Sequence, residues 1–384
     1  MNGHFVKRKN GSYQLVVSDG TDELGKRVRH TKTIKAANDK EAQKQLNKFI
    51  RELEEGKLVL NKNTLEQFLN DWIKECCELT LSPTTIAGYK RTIKNHIVPH
   101  IGDTKLENLN TLLLQKYINK LYANGVGERT VKFCKQILSS SFSWGCSMGK
   151  MADNPCKNVR LKRQEKEEKV YLDEEDFQKL LVALNNESPK YQAICMLAIL
   201  TGCRRGEILA LKWSDIDPEN KVMHVRRSVQ YLKEKGVFIK EPKTKSSIRV
   251  ISLPELAFTY LDKYKAYQNE QRLKMGDKWS NEEGYIFTNA YGGLLNPSSK
   301  ISNWFKSFVE KNNLPKIVFH DLRHFHTSFL LMNGLDVKSV SRRLGHSSTA
   351  MTLNVYAHVF KSSDRAAADL MDNLLVKKSN TIAK

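Results

Sequence analysis

The sequence lacks three features that would place the protein in a membrane or outside the cell. No stretch approaches about 18 apolar residues, which excludes a transmembrane helix. The first residues, MNGHFVKRKNGSYQ, contain no apolar signal-peptide segment, so we expect a protein that is not secreted. The 7 cysteines include no Cys-x-x-Cys pair, which is typical of free thiols in a reducing compartment rather than of a disulfide framework or a zinc ribbon.

Acidic residues are outnumbered by basic ones. The chain has 42 Asp and Glu against 63 Lys and Arg, a formal net charge of +21 over 384 residues. The excess is +6 in residues 1–62, +6 in residues 63–165 and +9 in residues 166–384. A surplus spread along the whole chain predicts a long contact with a polyanion, and nucleic acid is the leading candidate because neutralised phosphates release counterions. On charge alone, a merely soluble basic protein remains the alternative.

The length and the 40% hydrophobic content predict two or three globular domains, of which residues 1–56 form the first. Its pattern is that of a three-stranded sheet and a helix, with turns at Asn10-Gly11 and around 18–20, a third strand from Arg27 to Ile34, and a helix from its cap Asn38 to Gly56. The third strand carries Arg27, Arg29 and Lys32. These side chains either enter a DNA groove or form a solvated face.

Residues 62–156 follow the helical period throughout and predict a second, all-helical domain. Its helices are expected to begin at the Thr64–Gln67 capping box, at Ser82-Pro83, near Thr111 and at Glu128. Basic side chains on two of these helices are candidate DNA contacts or a solvated surface: Lys90, Arg91, Lys94, Arg129, Lys132 and Lys135. The charged segment 157–170, KNVRLKRQEKEEKV, has almost no apolar pattern and predicts a flexible linker.

The remaining segment, 171–384, mixes helices with three short strand patterns. The strands are expected at 222–230, 237–240 and 248–253, in one small antiparallel sheet. The sequence therefore predicts a multidomain α+β protein: a small three-stranded sheet plus helix, then a helical domain, then a mainly α domain with a small antiparallel sheet.

Four short motifs in this last segment carry reactive side chains. The first, TGCRRGEILAL from Thr201 to Leu211, places two arginines after an apolar helix, and their forked heads suit phosphate oxygens. Glu207 lies three residues after Arg204 and can hold its guanidinium. The second motif, PKTKSSIRV, places Lys243 between two predicted strands, where a hairpin can aim it at a ligand.

The other two motifs combine histidines with an arginine and a tyrosine. In HDLRH, His320 and Arg323 are three residues apart; His320 and His324 have metal-ligand spacing, but no carboxylate cluster completes a metal site. In LGHSS and NVYAHV, His346 follows a predicted helix C-cap and Tyr356 lies near the end of a short helix. Each motif alone also fits a structural role, such as a surface ion pair or a half-buried aromatic.

The motifs TGCRRGEILAL, PKTKSSIRV, HDLRH, LGHSS and NVYAHV, taken together and in this order, resemble the tyrosine recombinases of the phage-integrase type. The resemblance runs through most of residues 170–360. Residues 64–155 resemble the core-site DNA-binding domain of that family, and the first 55 residues resemble the arm-binding domain of integrases from phages and conjugative transposons. The resemblance implies an arm-binding domain at 1–56, a core-binding domain at 62–156 and a catalytic domain at 171–384.

The resemblance also implies a role for each residue of the motifs. Arg204 and Arg323 would bind the scissile phosphate, and Tyr356 would be the nucleophile. The supporting groups around the phosphate would be Lys243, His320, His346 and Glu207. Two positions depart from the family pattern, since Phe325 stands where a small polar residue is usual and Cys203 replaces a common aliphatic.

The implied reaction needs no metal, no ATP and no other cofactor. Two arginines neutralise the phosphodiester, the tyrosine hydroxyl attacks beside His320, and Lys243 protonates the departing 5′-oxygen. The resulting 3′-phosphotyrosyl link is reversed by a 5′-hydroxyl from a partner strand. The expected partners are double-stranded DNA at core and arm sites and a homotetramer on that DNA, with a directionality factor and a DNA-bending host protein as further candidates. The expected location is the cytoplasm and nucleoid of a bacterial host.

Three other functions fit parts of the pattern. A DNA-binding regulator with a vestigial site is not expected to retain all six reactive residues. A relaxing topoisomerase would share the chemistry but has no need of the arm-like domain, and a metal-dependent nuclease requires carboxylate pairs. Site-specific recombination is therefore the predicted function. Beyond Tyr356, Ser363 predicts the start of a helix that docks either on its own domain or on a neighbouring protomer.

Overall fold

The computed structural model describes residues 2–8, 11–21, 27–54, 63–163, 172–240, 248–346 and 348–356. They divide into two compact units, Met1–Glu165 and Lys166–Lys384. The first unit contains two separate hydrophobic cores and the second contains one. In the described part of the chain, no helix combines the length and the apolar character needed to cross a membrane.

The N-terminal core lies between a three-stranded antiparallel sheet and one helix. The strands β1 (Asn2–Lys7), β2 (Tyr13–Thr21) and β3 (Arg27–Ile34) pair in that order, and α1 (Asp39–Glu54) follows. Alternate residues of β2 face Leu46 and Phe49 of the helix, as the two-residue period of a strand requires. The Oδ1 atom of Asn38 accepts the Glu41 amide at 2.9 Å, which confirms the predicted cap.

The turn predicted around 18–20 is wrong. Strand β2 continues through these residues, and the pairing with β3 becomes irregular between Ser18 and Thr21, where Gly20 has φ +70°. A glycine in a bulge therefore resembled a glycine in a turn. The predicted turn residue Asn10 and the predicted helix end Gly56 lie outside the described residues.

The second core belongs to a bundle of helices, as predicted. Two of its helical stretches continue through π-helical turns, Ile73–Cys77 and Ile93–Ile97. The capping box that opens the bundle is present, since Gln67 Oε1 accepts the Thr64 amide at 3.0 Å and Thr64 Oγ1 accepts the Gln67 amide at 3.3 Å. The α-helices are α2 (Leu65–Trp72), α3 (Glu78–Thr80), α4 (Pro83–Thr92), α5 (Val98–Ile101), α6 (Thr111–Ala123) and α7 (Glu128–Ser147).

The first half of the segment predicted to be a flexible linker is instead packed against this bundle. Val159 is buried, and Leu161 contacts the same core. Lys135 Nζ donates to the Val159 carbonyl at 2.6 Å, and the amide of Gln115 both accepts from and donates to the backbone of Arg160. Residues 157–163 thus belong to the helical domain, held by two apolar side chains and backbone hydrogen bonds that the charge pattern concealed. Residues 164–170 lie outside the described part of the chain.

The second unit is mainly helical, as predicted. Helix α9 is buried on nearly all sides and packs against α11 and α13. The α-helices are α8 (Glu174–Asn185), α9 (Pro189–Thr201), α10 (Arg205–Ile208), α11 (Glu255–Met275), α12 (Asn303–Lys311), α13 (Asp321–Met332), α14 (Val337–Leu344) and α15 (Thr349–Tyr356). The strands are β4 (Ile216–Asp217), β5 (Val222–Val225), β6 (Ser228–Leu232), β7 (Gly236–Lys240) and β8 (Arg249–Ser252).

The prediction of one antiparallel sheet in this unit is wrong. Strands β4, β5 and β8 form a three-stranded sheet in that order, whereas β6 and β7 form a separate hairpin. The segment predicted as a single strand is interrupted at Arg226 and Arg227, because both arginines turn towards the buried carboxylate of Asp215. Arg227 makes the closer ion pair, at 2.9 Å.

Candidate active site

The first catalytic motif forms a tight turn between α9 and α10. Gly202 ends α9 with φ +64°, and a Cβ atom there would lie 2.5 Å from the His326 ring, so only glycine fits. Arg204 is the N-cap residue of α10. Its backbone amide and its Nη1 atom each donate to the Glu207 carboxylate at 2.9 Å. The expected support of Arg204 by Glu207 is therefore present, while the neighbouring Arg205 donates to Ser302.

The third motif begins at the N-terminus of α13. His320 is the N-cap residue, and Arg323 lies within the first turn, only 4% exposed. The Arg323 guanidinium donates to the Gly202 carbonyl at 2.6 Å and to the Leu344 carbonyl at 2.9 Å. Burial and the nearby charge of Arg204 lower the pKa of Arg323 to about 10, so it is a cation at neutral pH.

The fourth motif follows α14, which ends at Gly345 with φ +65°. Arg204 Nη2 donates to the Gly345 carbonyl at 3.3 Å, directly beside the Leu344 carbonyl that Arg323 contacts. The next residue is His346, whose Nδ1 lies 2.8 Å from Oγ1 of the buried Thr352 on α15. Three distant motifs therefore meet at the turn after α14, and Thr352 orients the histidine ring.

Both histidines of the site are held neutral by their surroundings. Burial, followed by the charges of Arg323 and Arg204, lowers the pKa of His346 to about 4. Desolvation and then the charge of Arg323 lower the pKa of His320, although part of its side chain is exposed. At neutral pH the positive charge of the site therefore lies on the arginines, and the histidines can exchange protons.

The structure describes Tyr356 only in part. It is the last residue of α15, the helix that carries Thr352, which agrees with its predicted place near the end of a short helix. Its side chain lies outside what the structure describes, and so do Lys243 with the rest of segment 241–247 and the helix predicted to begin at Ser363.

The two departures from the family pattern are packing residues. Phe325 stacks on Phe177 of α8 with ring centroids 4.1 Å apart. Cys203 is buried, and its Sγ accepts a weak hydrogen bond from Arg249 at 3.4 Å. The rings of His320 and His324 lie 5.0 Å apart, but among the described residues no group of three His, Cys, Asp or Glu is placed to hold a metal ion.

Some candidate DNA-binding residues of the helical domain line one groove between α4 and α7. Arg91, Arg129 and Lys132 line it together with the amides of Asn95 and Gln136, and Lys132 pairs there with Glu128 at 2.9 Å. The other candidates differ in their surroundings. Lys94 is exposed, Lys90 pairs with Glu78 at 2.9 Å, and Lys135 is engaged by the Val159 carbonyl.

The basic residues of β3 do not share one face. Lys32 is paired with Leu15, whose side chain is buried against α1, and its ammonium lies 5.6 Å from the centre of the Phe49 ring. Arg29 lies three positions before Lys32 in the same strand, so its side chain projects from the opposite face of the sheet. The side chain of Arg27 lies outside the described part of the structure. Lys32 and Arg29 therefore lie on opposite faces of the sheet, and Arg29 is the candidate DNA contact on the open face.

Two arginines, two neutral histidines and a tyrosine-bearing helix define a site suited to a phosphate group. Comparison with known proteins gives the family. Residues 170–363 match the phage integrase family, and residues 64–122 match the N-terminal SAM-like domain of phage integrases. The chain therefore belongs to the phage integrase family, the tyrosine recombinases.

The relatives extend along nearly the whole chain. A tyrosine recombinase XerC-like protein of Caldanaerobacter subterraneus subsp. tengcongensis is 30% identical over 392 residues, covering 97% of this chain and 99% of that protein. The ICEBs1 integrase of Bacillus subtilis is 29% identical over 370 residues, covering 96% and 99%. The chain is thus a tyrosine recombinase of the integrase type.

Solved structures share the fold. The integrase of transposon Tn1549, in complex with transposon right end DNA, has a TM-score of 0.70 at 22% identity and covers 80% of this chain and 99% of its own. The lambda integrase tetramer bound to a Holliday junction has a TM-score of 0.57 at 19% identity, covering 91% and 94%. The latter likeness extends further along this chain than the former.

Proposed function

We propose that this integrase cuts and rejoins double-stranded DNA at specific sites, integrating and excising a mobile element through a 3′-phosphotyrosyl intermediate. One observation carries the proposal: Arg204 and Arg323, from distant motifs, donate to the adjacent carbonyls of Gly345 and Leu344, immediately before His346. Both guanidiniums are thereby aimed at one place, where two forked cations suit the non-bridging oxygens of one phosphate.

The arginines stabilise the charge that develops on the phosphate during attack. A phosphodiester repels nucleophiles because its oxygens are anionic, and the two guanidiniums offset that repulsion most strongly in the transition state. They are held before the substrate arrives, Arg323 by two carbonyls and Arg204 by Glu207, so little reorganisation is needed.

The remaining groups transfer protons. The Tyr356 hydroxyl loses its proton to His320 as its oxygen bonds to phosphorus, since a tyrosine hydroxyl has a pKa of about 10 and is weakly nucleophilic when protonated. His346 bonds a phosphate oxygen, and Lys243 gives a proton to the departing 5′-oxygen. The 5′-hydroxyl of a partner strand reverses these steps and releases the tyrosine, so the phosphodiester energy is conserved.

The order of the domains along the chain supports the DNA contacts and the assembly that we propose. The helical domain binds core sites, with Arg91, Arg129 and Lys132 contacting phosphates along their groove, and the N-terminal sheet binds arm sites. The tetramer of lambda integrase on a Holliday junction supports a homotetramer on DNA for this chain as well. Its location is then the nucleoid in the cytoplasm of a bacterial host, with a directionality factor and a DNA-bending protein as accessory partners.

The test is a covalent adduct. Attachment-site DNA with a nick beside the cleavage position is incubated with the full chain in chelator, and adducts are resolved by denaturing electrophoresis. We expect an adduct with the wild-type chain and none with Tyr356→Phe, whose affinity for the DNA stays near wild type because binding depends on many phosphate contacts. An adduct formed by Tyr356→Phe contradicts the assignment of the nucleophile. Failure of the wild-type chain on every candidate site contradicts the proposed reaction.

A further inference from the structure

Arg249 belongs to the second motif, PKTKSSIRV, and contacts residues of the first and the fourth motifs. Sequence patterns assigned it no role. It is the first residue of β8, the strand that follows the Lys243 segment, and its side chain is only 6% exposed. Its Nη2 donates to Glu207 Oε2 at 2.8 Å, and its Nε donates to the Arg343 carbonyl at 2.7 Å. A buried cation with such partners is fixed in position, because losing them would leave a desolvated charge unpaired.

The end of α14 shows why that position matters. Three consecutive carbonyls there accept hydrogen bonds from three different arginines: Arg343 from Arg249, Leu344 from Arg323 and Gly345 from Arg204. The last carbonyls of a helix lack partners within the helix and carry its negative dipole end, so cations stabilise them. The guanidinium of Arg249 also packs closely on Gly345, where a Cβ atom would lie 3.0 Å from Nη1.

Glu207 is shared between two of these arginines. Its Oε1 accepts from Arg204 Nη1, while its Oε2 accepts from Arg249 and from the Arg204 backbone. Burial pushes the pKa of Glu207 upward, but the hydrogen bond and charge of Arg249, together with the charge of Arg204, hold it below its ordinary value. Arg249 also adds to the charges that lower the pKa of His346, after burial, Arg323 and Arg204.

We propose that Arg249 is a positioning residue for the recombination reaction. It holds the Arg204–Glu207 pair and the His346 turn in fixed positions relative to β8. The proposal rests on the proposed function, because the relative position of these groups matters for strand cleavage. Arg249 acts through its neighbours: Arg204 and Arg323 contact the phosphate, and Arg249 fixes the carboxylate and the turn against which they are aligned.

The experiment compares Arg249 with a matched arginine of the same unit. Arg227 pairs with the buried Asp215 at 2.9 Å but contacts none of the four motifs in the hydrogen bonds and ion pairs that the structure describes. Single-turnover cleavage of nicked attachment-site DNA is measured for Arg249→Gln, Arg249→Lys and Arg227→Gln. We expect a loss of about 100-fold for Arg249→Gln and about 10-fold for Arg249→Lys, which keeps the charge but not the fork. Arg227→Gln should remain near the wild-type rate, and DNA affinity should be unchanged in all three.

The pH profile separates positioning from general destabilisation. In Arg249→Gln the acid limb of cleavage should move to higher pH, because Glu207 and His346 lose a neighbouring cation that disfavours their protonation. Arg227→Gln should leave the limb where it is. If Arg249→Gln and Arg227→Gln give equal rates and equal acid limbs, Arg249 is merely a structural residue and the proposal is wrong.

A second measurement does not depend on catalysis. The amides of Gly345 and His346 donate to Arg342 and Ser341, so their hydrogen exchange reports the order of the turn in the DNA-free chain. Exchange there should become at least about tenfold faster in Arg249→Gln, and should not change in Arg227→Gln. Unchanged exchange overturns the proposal even if cleavage falls. A wild-type chain that forms no adduct counts against the proposed function instead, and the exchange comparison still decides whether Arg249 holds the turn.

Discussion

The cations of the catalytic unit and those of the helical domain are used in opposite ways. Arg323 and Arg249 are buried, and each donates to carbonyls or to a carboxylate. Arg91, Lys94 and Arg129 of the helical domain are exposed. A buried charge persists only with a full set of partners, so its geometry is fixed, whereas an exposed charge is worth little to stability and stays free to meet a phosphate. We therefore expect the first arrangement to serve cleavage and the second to serve DNA affinity.

Replacing a buried arginine by lysine should have the largest effect. Arg323→Lys cannot span the carbonyls of Gly202 and Leu344 and also present two donors to phosphate. We expect single-turnover cleavage to fall by roughly 10²- to 10³-fold, with similar or smaller losses for Arg204→Lys and little change in DNA affinity. Arg91→Lys is the control from the exposed set and should cleave at the wild-type rate. A wild-type rate for Arg323→Lys would remove this residue from the site.

The contrast also explains what the sequence could predict. The residues proposed to face the phosphate occur in compact motifs, so TGCRRGEILAL and HDLRH were sufficient to name Arg204, Glu207, His320 and Arg323 as candidates. The residues that support them, Arg249 and Thr352, were missed. Arg249 lies 42 positions from Glu207, and the end of a strand pattern gives no sign of such a contact. Thr352 is one threonine in a short helix, recognisable only from its contact with His346.

The wrong predictions about the fold also come from contacts between residues that are distant in the sequence. Periodicity predicted the main helices of the first unit and the strand β3 with nearly correct bounds, because each depends on neighbours in the chain. The interruption at Arg226 and Arg227 depends on the distant Asp215, and the packing of residues 157–163 depends on Gln115 and Lys135 of two other helices. A local sequence pattern cannot predict which distant residue a charged or polar side chain will contact.

Acidification should weaken the catalytic unit through its buried histidines. His326 Nδ1 donates to the Ile199 carbonyl at 2.8 Å, and its Nε2 accepts from Arg343 at 3.3 Å. Burial, followed by the charge of Arg343, lowers the pKa of His326 to about 4. Because an unfolded histidine has a pKa of about 6.5, the unfolded chain binds more protons between these values. The stabilisation is complete above about pH 6.5 and is lost as pH falls towards 4, by roughly 2–3 kcal/mol for this residue.

This loss can be measured by urea unfolding at about pH 7 and about pH 4.5, with hydrogen exchange on residues 321–332 to report the catalytic unit. His326→Asn keeps a donor for the Ile199 carbonyl but does not titrate, so the pH dependence should become shallower. An equally steep dependence in this variant would show that other groups, such as His346, are responsible.

The smallest effects should come from the exposed cations. They can be tested by comparing two basic residues of helix α7, Arg129 and Lys135. Arg129 is exposed in the groove between α4 and α7, whereas Lys135 donates to the Val159 carbonyl at 2.6 Å. For Arg129→Gln, the slope of log affinity against log salt should decrease by about 1, with cleavage of bound DNA unchanged. For Lys135→Gln, the slope should stay at the wild-type value, and residues 157–163 should exchange amide hydrogens faster because their anchor is lost. Equal slopes for both variants would contradict this distinction. They would mean that Lys135 also releases counterions from DNA, although it donates to a backbone carbonyl of its own chain.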